Sequence, residues 1–176
     1  QWFNGSYIRE YRDDRLIAAV APYLQDAGFV SDPLTPTERE YIRNYLPIVR
    51  ERLKLLSDIV PLTRFLYRDV DAWDPEELIP KKVTAEETAQ LLNLAKDLIE
   101  SHGIDDEESL DQSFRAAAEN AGTKVGNLLM PLRVAVTGSR VSPPLIPSIR
   151  LLGVEKALRR IEGAHRALQR FQEEQA

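Results

Sequence analysis

The chain has no cysteine. Disulfides and thiolate zinc sites are therefore excluded, which suits a reducing compartment. Only two histidines occur, His102 and His165. Neither stands in a metal-ligand spacing, and both are expected near helix surfaces without a catalytic or ligand role. No apolar run approaches the ~20 residues of a membrane span. A glycine-rich phosphate loop is missing too, since Gly122-Thr123-Lys124 lacks the longer lead-in such loops have. Asp105-Asp106-Glu107-Glu108 lacks the spaced ligands and central glycine of a calcium loop. That run instead suits the positive end of the helix that follows it. No catalytic constellation emerges. The chain opens on Gln1-Trp2-Phe3 rather than methionine, without a signal peptide, and reads as a piece of something larger.

What the chain does have is apolar residues, 43% of 176, enough for a packed core in one domain or two small ones. Its net charge of -5 argues, taken alone, against a nucleic-acid binder. The distribution says otherwise. From residue 39 to 68, seven Lys/Arg face three acids, a surplus of +4. From 122 to 170, nine face two, a surplus of +7, whereas 69–119 holds fifteen acids against four bases, or -11. Two basic segments flank an acidic one. This pattern fits a polyanionic partner, and it equally fits solvated helix faces.

Helix signals are frequent and strand signals nearly absent, so the fold class is all-α. Thr35-Pro36-Thr37-Glu38 and Thr84-Ala85-Glu86-Glu87 are capping boxes, the first with proline at the opening helical position. The second opens a helix striped by Leu91, Leu94, Ala95 and Leu98 and stopped by Gly103. Asp74-Pro75 starts a short helix. Ser109 with Gln112 is expected to cap a helix ending at Gly122, and Thr123 to cap the next, which ends near Gly138. A last helix runs from about Val154 into the tail. Turn residues and the change of charge sign place a boundary near 69–74. Two helical subdomains are expected, 1–70 and 71–176.

Residues 122–145 are unusual. Pro131 sits inside an apolar helical run and should break its hydrogen-bond ladder, with Arg133 beside the kink and Ser142-Pro143-Pro144 in a loop beyond. Such a kink could present freed carbonyls and a guanidinium to a ligand. In Arg50-Glu51-Arg52-Leu53-Lys54, Leu53 and Leu56 supply an apolar face that pushes Arg52 toward solvent. There a forked donor could meet a base edge or phosphate, or simply be solvated. Trp2, Phe3, Tyr7 and Tyr11 are expected to dock the start of the chain. The i, i+4 spacing of Tyr41 and Tyr45 fits core better than base stacking.

Several motifs, taken in order, resemble bacterial glutamyl-tRNA synthetases over nearly the whole chain. Trp2-Phe3-Asn4-Gly5-Ser6-Tyr7-Ile8-Arg9 is similar to the family's segment leading out of the connecting region. Val49-Arg50-Glu51-Arg52-Leu53 resembles the helix facing the anticodon, and Arg64-Phe65-Leu66-Tyr67 the exit from the first helical subdomain. Gly122-Thr123-Lys124-Val125-Gly126, Met130-Pro131-Leu132-Arg133, Thr137-Gly138, then Pro143 and Leu145 follow in family order. Leu151-Leu152-Gly153-Val154-Glu155-Lys156-Ala157-Leu158-Arg159-Arg160 resembles the closing Leu-Leu-Gly-Lys-Glu-Arg-x-x-x-Arg helix. Ser142 stands where other members carry threonine, and the linker 69–82 is longer and more acidic than theirs.

The resemblance implies an all-α cage of two helical subdomains that binds the anticodon of glutamate tRNA. It implies Arg52, Arg133, Ser142, Pro143 and Leu145 beside the anticodon, with Arg52 at the third base as in members that reject glutamine tRNA. Arg50 and Lys124 are the candidates for RNA backbone; Lys124 opens a helix after a glycine. The nucleotide-binding signatures of the catalytic half, His-Ile-Gly-His and Lys-Met-Ser-Lys-Ser, do not occur. The implied chain is thus the C-terminal anticodon-binding part of a glutamate–tRNA ligase, without catalysis of its own. No cofactor is expected in it, ATP and magnesium belonging to the catalytic half. It would be a cytoplasmic monomer with tRNA as partner, and neither DNA nor membrane. The alternative is a helical protein–protein interaction module with no RNA ligand.

Overall fold

The computed structural model describes Ile8 and residues 10–175. The opening motif, with Trp2, Phe3, Tyr7 and Arg9, lies outside the described residues apart from Ile8. Among the described residues there are nine α-helices, one 3-10 turn and no strand. The helices are α1 Asp13–Asp26, α2 Pro36–Arg50, α3 Ile59–Tyr67, α4 Pro75–Leu78, α5 Ala85–His102, α6 Glu107–Asn120, α7 Val125–Thr137, α8 Leu145–Leu152 and α9 Val154–Gln175. None is long and apolar enough to cross a membrane.

They form two compact units. One comprises Gln1–Arg68 with Val141–Leu151; the other comprises Asp69–Arg140 with Leu152–Ala176. A single cut at 70/71 treats the subdomains as consecutive, whereas residues 141–151, carrying most of α8, join the first unit.

In the first unit, apolar stripes meet. Leu16, Ile17, Val20 and Leu24 of α1 pack with Ile42, Tyr45, Leu46 and Val49 of α2, closed by Leu53, Ile59 and Leu62. The spacing 42, 45, 46, 49 puts four side chains on one helix face. The α2 capping box forms: Thr35 Oγ1 accepts the Glu38 N–H at 3.2 Å, and Glu38 accepts the Thr35 N–H at 2.8 Å. Glu38 also accepts the Ser31 N–H at 2.9 Å. These backbone donors, Thr35 first, lower its carboxyl to a pKa of about 2.

In the second unit, α9 lies against α5 and α7, and α5 also contacts α6 and α7. The Thr84–Glu87 box forms as expected. Two caps differ from expectation. Asp106, not Ser109, caps α6 by accepting the Ser109 N–H at 3.0 Å. A carboxylate three residues upstream outcompetes the hydroxyl and lets the helix begin earlier. At α7 the N-cap is Lys124, without a side-chain cap. Thr123 instead accepts a hydrogen bond from Asn127 Nδ2 at 2.9 Å.

Trp73 anchors the linker onto this bundle. Its indole Nε1–H donates to the Ala135 carbonyl at 3.0 Å. Its ring lies so close to α9 that a Cβ at Gly163 would stand 2.4 Å from it. Arg160 is buried beside this joint and donates to the Val136 carbonyl at 2.7 Å. Burial lowers its pKa. Gly138 ends α7 in the left-handed region, φ 71°.

Candidate nucleic-acid interface

Arg52 does not lie on a helix face. Helix α2 stops at Arg50, and residues 51–52 form a turn. The cause is Leu53, whose side chain enters the core and pulls the chain inward. The Arg52 N–H donates to the Val49 carbonyl at 2.9 Å and the Leu53 N–H to the Arg50 carbonyl at 3.2 Å. Beyond them, one carboxylate oxygen of Asp58 accepts the N–H groups of Lys54 at 3.0 Å and Leu55 at 2.9 Å. Consecutive amides are thereby tied down. Arg52 is exposed, and among the described residues its side chain carries no hydrogen bond or ion pair. Exposed Lys54 and Leu55, the latter 46% exposed, flank it. An immobilised turn that offers a solvated guanidinium next to an apolar side chain can bind a base edge and pack against its face.

Arg50 is differently placed. Its guanidinium pairs with Asp13, its side chain is 21% exposed, and its buried Nε has no hydrogen-bond partner among the described residues. A phosphate would have to compete with Asp13 for it.

Ser142, Pro143 and Leu145 share the first unit with Arg50 and Arg52. Their side chains are buried, Ser142 to 4% exposure. Ser142 Oγ donates to the Pro143 carbonyl at 2.9 Å. The exposed side chains of this loop are Val141, at 72%, and Pro144. Ser142, Pro143 and Leu145 thus shape the loop, and a ligand reaching it meets Val141 and Pro144 first.

Arg133 and Lys124 belong to the second unit. Helix α7 runs continuously through Pro131, which is buried. The expected interruption is therefore absorbed inside a continuous helix. Nor is the proline unique: α1 and α2 contain Pro22 and Pro47 in their interiors, both exposed. Arg133 is half-buried, and its carbonyl accepts from Thr137 Oγ1 at 2.8 Å. The Ser139 carbonyl lies 3.0 Å from the same hydroxyl, whose one proton is shared between the two carbonyls, and this fixes the chain leaving α7. Lys124 is exposed at the α7 N-terminus, where no side chain caps the helix and the helix dipole favours an anion.

Neither histidine has a metal-site neighbourhood among the described residues. His102 is exposed at the α5 end. His165 is half-buried rather than exposed, because its Nε2 pairs with Asn93 Nδ2 at 3.0 Å. Tyr45 is core, its hydroxyl 3.0 Å from that of Tyr67; burial raises the pKa of both, Tyr67 to about 12.

Against known proteins, residues 15–165 match the model of a family described as an anticodon binding domain. The chain belongs to that family. This anticodon binding domain is 38% identical over 167 residues to a glutamate–tRNA ligase of Borreliella burgdorferi, covering 95% of the chain and 34% of the relative. It is 42% identical over 161 residues to that of Roseiflexus castenholzii, covering 92% and 32%. The domain spans about a third of the length of the curated relatives it matches. A crystal structure of a glutamate tRNA ligase from Elizabethkingia meningosepticum shares its fold, with TM-score 0.69 and 24% identity over 95% of the chain and 32% of that protein. Sequence reasoning missed Asp58, whose carboxylate holds the Arg52 turn from six residues away. An acid at the third position of a short turn before a helix was the available signal. It also missed Trp73, for which no local pattern exists.

Proposed function

We propose that this anticodon binding domain reads the anticodon of glutamate tRNA for a glutamate–tRNA ligase. Anticodon recognition follows from the family; the choice of glutamate tRNA is supported by the ligases that the chain resembles. The observation that carries the reading at residue level is Arg52, solvated and, among the described residues, without a hydrogen bond or ion pair, on a turn next to the Asp58-held amides of Lys54 and Leu55. A guanidinium offers only donors. It suits cytosine at the third anticodon position, whose pairing edge presents a carbonyl oxygen and a ring nitrogen as acceptors. It disfavours the guanine of glutamine tRNA, whose pairing edge presents N–H donors. Lys124 and Arg50 would contact phosphate, Arg50 after yielding Asp13, and Arg133 with the loop of Ser142, Pro143 and Leu145 would border the bases. On this reading ATP and magnesium serve a catalytic region outside these residues. The chain itself holds no cofactor, works as a cytoplasmic monomer, and binds neither DNA nor membrane. The family match disfavours a protein-interaction module.

The test is retention of unmodified glutamate tRNA by the chain at low salt, with glutamine tRNA as control, for wild type and Arg52→Gln. Wild type should prefer glutamate tRNA. Glutamine carries both a donor and an acceptor, so the variant should lose ~1–3 kcal/mol of that binding and less with glutamine tRNA. Equal retention of both tRNAs by wild type would refute the choice of tRNA, and an equal loss for both in the variant would refute the role of Arg52.

A further inference from the structure

A second basic feature lies within the second unit, on the closing helix and apart from the residues that the resemblance places beside the anticodon. Helix α9 and the linker around Trp73 enclose a cleft of about 520 Å³. Four cations and two carboxylates line it: Lys156, Arg159, Arg160 and Arg166 against Asp69 and Asp71. Part of this charge is already used. Asp69 pairs with Lys156 at 2.8 Å and lies 3.8 Å from Arg160, which is buried and hydrogen-bonded to Val136. Arg159 and Arg166 are different. Both are exposed, and among the described residues neither has a hydrogen bond or ion pair. Glu162, whose carboxyl is lowered by Lys96 and less so by Arg166, is committed to Lys96 at 2.8 Å.

The two arginines are seven residues apart on one helix, which puts them on one face about 10.5 Å apart. No acid is bonded to either: Arg159 acts on Asp69 and Arg166 on Glu162 only at a distance, so both guanidinium forks stay open. They are stabilised when an anion enters. Trp73 keeps the cleft open: its Nε1–H is spent on Ala135 and its ring is seated on Gly163, so it forms a fixed, half-buried wall. Guanidinium forks suit phosphate oxygens, and an indole suits a ribose or base edge.

We propose that the Arg159–Arg166 cleft is a second RNA-backbone site that grips tRNA phosphates independently of the anticodon contacts. This rests on the reading of the chain as tRNA-binding. The experiment measures glutamate-tRNA binding against salt for the wild-type chain, for Arg159→Ala/Arg166→Ala, for Arg159→Lys/Arg166→Lys, and for a control of equal charge loss, Lys81→Ala/Arg115→Ala. Thermal melts check that each variant folds. The alanine pair should reduce the slope of log Kd against log salt by about 1–2, since each lost phosphate contact removes roughly one. The lysine pair should keep most of the slope, and the control should match wild type. If wild type binds and the alanine pair leaves the slope unchanged, or the control lowers it equally, the cleft is refuted while the anticodon reading stands. If wild type does not bind tRNA, both fall.

Discussion

Replacing Gly163 by alanine tests whether the Trp73 joint organises the second unit. A Cβ there would lie 2.4 Å from Trp73 Cη2 and 2.5 Å from Cζ3. Carbon atoms do not approach this closely, and the indole cannot bend. The whole ring must slide, and it is tethered by the Nε1–H to Ala135 bond of 3.0 Å. Overpacking of this kind costs about 1–3 kcal/mol. A lost hydrogen bond adds about 0.5–1.5 kcal/mol. Against this, alanine gains about 0.5–1 kcal/mol over glycine inside a helix. The net expectation is a loss of about 0.5–4 kcal/mol. Urea denaturation followed by Trp73 fluorescence in a Trp2→Phe background measures it, and the emission should shift red in the folded variant as the ring moves. The decisive arm repeats Gly163→Ala in a Trp73→Ala background, where unfolding is followed by far-UV circular dichroism because no tryptophan remains. With the ring gone, only helix propensity remains, so the same substitution should now stabilise by about 0.5–1 kcal/mol. If Gly163→Ala has the same effect in both backgrounds, the close approach does not matter to stability.

Three further outcomes are expected. Asp58→Ala should free the amides of Lys54 and Leu55, costing about 1 kcal/mol in denaturant titration. It should also reduce discrimination between glutamate and glutamine tRNA without removing Arg52; unchanged discrimination would mean that the turn is not held by Asp58. Glu38 is ionised in the fold down to about pH 2, below its ordinary 4.5, so its contribution to stability is complete above about pH 4.5 and lost as pH falls toward 2. In Glu38→Gln the decline of stability over that interval should be shallower, measured by thermal melts across pH; parallel curves for the two proteins would exclude this. Pro22→Ala and Pro47→Ala should each stabilise, by up to ~3 kcal/mol, because exposed prolines leave no packing to lose. Pro131→Ala should gain less, since a buried ring is removed. A larger gain at Pro131 in urea denaturation would contradict that ranking.

Local interactions were legible in the sequence because they span three or four residues. The Thr35–Glu38 and Thr84–Glu87 boxes form where their spacing placed them, as does the stop at Gly138; of the α5 stripe, Leu91 and Ala95 are buried and Leu94 and Leu98 half-buried. Family order across the motifs pointed to the anticodon binding domain, and the all-α class followed from helix signals alone. Competition among neighbouring caps was less legible: Asp106 and Ser109 are both good caps, and only the helix register that buries Leu110 and Phe114 chooses between them. The candidate interface was legible as residue types but not as presentation. Arg52 and Arg50 share one motif, yet one is solvated on a turn and the other bound to Asp13, a partner 37 residues away. Ser142 and Pro143 are polar-loop residues by type and buried in fact. The return of residues 141–151 to the first unit, the seating of Trp73 on Gly163, and the burial of Arg160 beneath Asp69 join segments far apart in the chain. Spacing along one segment encodes which face is apolar; it does not encode what that face will meet. Tertiary packing decided that, and with it which arginines were left over for a ligand.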